Sequence, residues 1–283
     1  MVRMLPFLVS IAFLLSRPTL AADRMLVAEG DYVSHSSPSS PLAHWKLWRL
    51  RNGEYEVEEA LNGPTYVMQV FRFNSQFLPK GFSLTIDTGR KLPKTLRSKA
   101  PWRSYPTIVS CQYMLQELAC EYANNGKKSA SSIVPQQPYV FVPGDFYALD
   151  QLWLMTGVVH LTERNHSENA VVNVYTTYCA PHEPERDLKA MEAWPDTSVC
   201  SGRPIQLTYS GKPTVRLLGK TQTVTEYEVW HAGSEPGAWV LNELSVLQVT
   251  SQGLVASIRG KSNPELGYAI SNYKEYGSWM SSR

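Results

Sequence analysis

The side chains of this 283-residue chain that could do chemistry are six histidines, four cysteines and a band of acids. His35, His44, His160, His166, His182 and His231 are scattered, and none stands two or four residues from another. That spacing presents no metal-ligating pair on one face of a strand or helix. The G-x-S-x-G elbow, the H-E-x-x-H zinc helix, the phosphate-binding P-loop and the S-x-x-K nucleophile pattern are all missing. Glu54, Glu56, Glu58 and Glu59 read as the solvated face of a strand. A glycosidase pair would need two carboxylates roughly 5–9 Å apart across a cleft, which spacing along one chain does not define. Asn165-His166-Ser167 is a formal glycosylation triplet, with meaning only in a eukaryotic secretory pathway. No catalytic residue, metal or cofactor is expected.

Cys111, Cys120, Cys179 and Cys200 read as two disulfides rather than nucleophiles, because an export signal precedes an even count. Three connectivities are open. The local pairs Cys111–Cys120 and Cys179–Cys200 are favoured, since each closes a short loop; close Cys or Cys/His pairs of the zinc-site kind are missing. Aromatic residues are the remaining lead, with eight Trp and fifteen Tyr. Trp153 in the most apolar run, and Trp230 and Trp239 flanking the turn HAGSEPGA, are the candidates for lining an apolar concave surface. Their plain alternative is core and strand-end packing. Arg90, Lys91, Lys94, Arg97, Lys99 and Arg103 lie in an acid-free, proline-bearing run. It reads as a loop, either simply solvated or a patch for anionic headgroups or an acidic partner.

The elements that must position these residues are mostly strands. Between Pro213 and Tyr276 five strand-like runs follow one another, closed by Gly, Pro or Asn. Leu254, Ala256 and Ile258 alternate with Val255, Ser257 and Arg259, the period of half-buried antiparallel strands. Leu266, Tyr268 and Ile270 repeat the pattern. Earlier, WKLWRL meets EYEVEEA across Arg51-Asn52-Gly53, a strong hairpin signal. TYVMQVFRF, FSLTI, TIVSCQYML, LACEY, YVFV and AVVNVYTTYC extend the meander. Tyr147–Leu161 is either a strand pair broken at Gly157 or a short helix followed by a strand. ERDLKAMEAW, between Cys179 and Cys200, carries helix signals: Pro184 before it, acids in its first turn and Pro195 after it.

Residues 1–22 read as a signal peptide: Arg3, an apolar stretch from Leu5 to Leu15, then Thr19-Leu20-Ala21. Residues 23–44 read as a polar lead-in, with Ser34–Pro41 a tether, and 45–283 as one β-rich domain. EYEV recurs at Glu54–Val57 and Glu226–Val229, which would suit two meander halves of about 31–157 and 158–283. Cleavage removes Arg3 and Arg17 and no acid, leaving equal numbers of acidic and basic residues. A general nucleic-acid binder would need a basic excess on one face. Nucleic acid is therefore not an expected partner.

The closing run VWHAG…AWVLNELSVLQVTSQGLVASI…LGYAISNYKEYG resembles the C-terminal part of exported bacterial domains with a half-barrel sheet, related in shape to the lipoprotein carriers LolA and LolB. That resemblance implies a curved sheet with an apolar concave face partly covered by helix. The lipid-attachment cysteine of the LolB type is missing, and four cysteines exceed what the resemblance needs. The combined expectation is a mainly β protein, a large curved antiparallel sheet or half-barrel with a short helix in the Cys179–Cys200 loop. It would be periplasmic or secreted and non-enzymatic. It would hold a lipid, acyl chain or envelope partner, and could touch anionic membrane peripherally. The alternative is a secreted hydrolase acting on cell-wall or polysaccharide material.

Overall fold

The computed structural model describes residues 24–62, 66–87, 107–113, 116–124, 127–142, 151–164, 171–176, 200–201, 204–233 and 238–277. The chain is mainly β. Its first meander runs β1 (Arg24–Ser34), β2 (Ser37–Leu50), β3 (Tyr55–Leu61), β4 (Tyr66–Phe73), β5 (Pro79–Asp87), β6 (Thr107–Tyr113), β7 (Leu118–Asn124) and β8 (Lys127–Ile133). β9 (Tyr139–Val142) and helix α1 (Gln151–Arg164) follow. Then come β10 (Val171–Thr176), β11 (Cys200–Ser201), β12 (Ile205–Gly211), β13 (Thr214–Leu217), β14 (Lys220–Thr223), β15 (Thr225–Ala232), β16 (Trp239–Val249), β17 (Val255–Arg259) and β18 (Gly267–Glu275).

One 16-stranded sheet takes the order β11-β10-β12-β15-β16-β17-β18-β1-β2-β3-β4-β5-β6-β7-β8, with β9 beside β10. β1 is therefore the join: it pairs with β18 on one edge and β2 on the other. Every described pairing in this sheet is antiparallel except β9 with β10. β13 and β14 form a separate two-stranded sheet, so this hairpin is not part of the continuous meander.

The sheet is curved and does not close. Its far ends are brought near each other by side chains: Tyr113 of β6 stacks on Tyr139 of β9 at 5.6 Å, and Tyr139 meets Tyr175 of β10 edge-on at 5.8 Å. The linker from β8 to β9 is tied in where Gln136 N donates to the Tyr175 hydroxyl at 2.9 Å.

Helix α1 fills the inside. Leu152 to His160 are buried on every side, as expected of a helix that is apolar all round. Trp153 packs on Trp45 of β2 at 5.1 Å, on Phe77 at 5.9 Å and on Phe73 of β4 at 6.5 Å. The Thr156 hydroxyl donates to Leu152 O at 2.8 Å and accepts from Val255 N at 3.1 Å. Val255 sits at a register shift between β16 and β17, so the helix satisfies an N–H at that irregularity. Gly157 lets the helix approach closely, since a Cβ there would lie 2.7 Å from Pro79 Cγ. Rather than breaking the element, Gly157 sits inside α1. An apolar run interrupted by Gly and continued by Val158-Val159 cannot be told from buried strand by periodicity alone.

Three further expectations are corrected here. The polar lead-in of residues 23–44 is β1 and the start of β2 from Arg24 on, and it buries Val27, Ala28, Tyr32 and Val33. The tether read at Ser34–Pro41 is a tight hairpin turn with an exposed start to β2. The division at 157/158 falls inside α1 and does not separate the fold. The helix expected between Cys179 and Cys200 lies outside the described residues, as do the signal segment and the glycosylation triplet's Asn165.

Candidate functional site

Register sorts each strand into an inward and an outward side. Partners opposite one another share a face. One row across the sheet reads Gly30, Trp45, Glu59, Gln69, Leu84, Val109 and Tyr122. The next reads Ala28, Leu47, Val57, Phe71, Phe82, Cys111 and Cys120. All are buried, so this is the inward face. Its second row is apolar throughout; the first holds a polar interruption.

Glu59 is 0 % exposed and Gln69 1 %, side by side on β3 and β4. The Tyr32 hydroxyl of β1 donates to Glu59 Oε1 at 2.7 Å. Gln69 Oε1 and Trp45 Nε1 are buried without a hydrogen-bond partner. Trp45 lies close against Gly30, where a Cβ would meet its Cζ2 at 2.8 Å. Its ring also faces Tyr32 at 6.4 Å and Tyr273 at 6.1 Å. The result is an aromatic wall beside a carboxyl and an amide, sealed from water.

This corrects the reading of Glu54, Glu56, Glu58 and Glu59 as one solvated face. Glu59 shares the parity of Tyr55 and Val57 and points in; the others point out. Even outside, Glu56 is 7 % exposed, because Arg24 and Arg72 reach it at 3.3 and 3.1 Å. Arg24 also bonds Glu58 at 2.5 Å and lies 4.2 Å over the Trp48 ring. Glu54 is paired with Lys80. The second EYEV behaves alike: Glu226 takes Arg259 at 3.2 Å and Gln248 at 2.9 Å, and Glu228 takes Lys261 at 2.7 Å.

Where β18, β1 and β2 run together, Asp31 Oδ1 meets His44 Nδ1 at 2.9 Å and Asp31 Oδ2 accepts from Asn272 at 2.7 Å. Beside them Glu29 accepts from Tyr276 at 2.7 Å; this bond, with Lys274, holds the Glu29 carboxyl below its usual value, and the same bond to Glu29 raises the Tyr276 phenol. At the β1–β2 turn, burial pushes the His35 imidazole down, with its Nε2 3.2 Å from Ser257 Oγ. Burial also pushes the phenols of Tyr122 and Tyr139 up to about 12.

Trp153 is in the packed core at 0 % exposure, against Trp45. Trp230 is half-buried and shares the outward side with Glu228, opposite Val229. Trp239 takes its place in β16 opposite Ala232. Cys111 and Cys120 form the expected disulfide, as direct partners on β6 and β7. Cys200 pairs in the ladder with Thr176, while Cys179 lies outside the described residues. The basic run of Arg90, Lys91, Lys94, Arg97, Lys99 and Arg103 also lies outside them. Among the described residues no group of three or more His, Cys, Asp or Glu side chains could hold a metal. No described helix is long and apolar enough to cross a membrane, which says nothing of strands.

The fold and the inward site define a class only: a mainly β chain whose large, open, mixed sheet wraps a buried helix. No protein-family model matches the chain, and no curated protein or solved structure matches it.

Proposed function

We propose that the protein is an exported, non-enzymatic binding protein that holds a lipid or acyl chain on the inward face of its curved sheet. The observation carrying this reading is the continuity of that face: apolar side chains from β1 to β7 enclosed with one helix, in a sheet left open. Ligand sites are mostly apolar concavities with few polar groups, and this interior has that composition. The Cys111–Cys120 disulfide supports an oxidising compartment, periplasmic or secreted. The basic run from Arg90 to Arg103 offers peripheral contact with anionic membrane, and the outward face an envelope partner.

Native mass spectrometry of protein taken from its export compartment without detergent tests the reading. A mass excess removed by solvent extraction is the expected result; a bare mass sinks the ligand proposal. The second reading, a secreted hydrolase, draws on the Asp31–His44 pair, whose carboxylate orients a partly exposed imidazole. Turnover of a polysaccharide that His44→Gln abolishes would favour it.

A further inference from the structure

We infer that the head group this interior selects is a cationic amine rather than a carboxylate, an inference that rests on the ligand-carrier reading above. Glu59 lies opposite Gln69 on adjacent strands, both essentially unexposed, and both turn acceptor oxygens into the same inward row. The Tyr32 hydroxyl supplies one donor to Glu59. Gln69 Oε1 remains a buried acceptor without a donor. An acceptor left so is destabilising, and a bound N–H relieves it.

The walls favour the same charge. Tyr32 and Trp45 stand beside Glu59, and aromatic faces attract an ammonium most strongly where water is excluded. An anionic head would meet the Gln69 carbonyl oxygen and stand beside the Glu59 carboxyl, against which the same row sets the neutral Trp45 indole N–H. Strand parity places a chain attached to that head along the neighbouring apolar row, Leu47, Val57, Phe71 and Phe82. Because the site is sealed, a ligand enters only when the interior opens, so association is slow and surface salt screens little of the selectivity.

The test compares dodecylammonium, dodecanol and dodecanoate, each below its micelle concentration, by calorimetry at 0.1 and 0.5 M salt. The expected ranking has the amine at least tenfold tighter than the carboxylate at both salts. Glu59→Gln should erase most of that gap, and Gln69→Met should narrow it severalfold; near-UV circular dichroism checks that each variant is folded. Equal binding of the three heads to the wild-type protein overturns the amine inference and leaves the carrier reading standing, whatever the variants do. Binding of none overturns both. An amine preference that vanishes at 0.5 M salt assigns it to surface charge and also overturns the inference.

Discussion

Single residues carry the chemistry that strand patterns hide. In EYEVEEA the residue after Tyr55 and Val57 in the inward series is Glu59, and in YVMQVFRF the one between Val67 and Phe71 is Gln69. Both break an apolar series, and that break was legible in the sequence. The Glu-rich context masked it, since four acids between positions 54 and 59 suggest solvation before parity is counted. What no sequence shows is that Tyr32, 27 residues away, brings its hydroxyl to Glu59. Replacing Tyr32 by Phe removes that donor and should cost about 1–3 kcal/mol in denaturant unfolding. His35 gives a pH signature. Its folded pKa is depressed by burial, so the unfolded chain binds the proton more readily. Its contribution is flat above about pH 6.5 and falls as pH drops from there through the lowered folded value. Melting temperatures from pH 7.5 to 5 should decline less steeply in His35→Gln; an unchanged slope would remove His35 from the account. The phenols of Tyr122 and Tyr139 act at the other end. Their stabilisation is present below about pH 10 and is lost as pH rises toward 12. Absorbance titration at alkaline pH should therefore show a late-ionising fraction that Tyr122→Phe reduces.

At the scale of elements, hairpins were the readable part. Asn-Gly turns and alternation located β2 to β7 because each strand there has one wet face. The pattern failed where both faces are covered. Residues 254–258 alternate in sequence yet are buried throughout, since α1 packs on β17 and His35 covers Ser257. It failed also at α1, whose burial on all sides leaves no periodicity to read. Gly157 makes a sharp test of that packing. In an exposed helix Gly→Ala gains about 1 kcal/mol. Here the new Cβ meets Pro79 Cγ at 2.7 Å, so Gly157→Ala should instead destabilise, by about 1–3 kcal/mol. The Cys111–Cys120 crosslink spans nine positions, and its double replacement by Ala should cost ~2.5 kcal/mol on the chain-entropy estimate.

The whole molecule is held together by a join that its sequence does not advertise. β1 was legible neither as a strand nor as the centre of the sheet, because its pairing with β18 is a contact across most of the chain. Tyr276 N donates to Val27 O at 2.8 Å, so the two outermost described strands finish beside each other. A circular permutant joined there by a short Gly/Ser linker and opened at Asn52-Gly53 should fold with the parent's far-ultraviolet spectrum. Failure to fold would show that β2–β3 continuity matters more than the geometry implies.

That join also imposes an order in time. β1 is synthesised first among these strands and finds β2 at once, but its other edge stays bare until β18 has been made. An unpaired edge is a template for other chains, and distant pairings form slowly. For the whole interval between its first strand and its last, the nascent protein is therefore an adhesive ribbon. Unfinished copies kept apart until β18 is made would reach the folded state without offering that edge to one another.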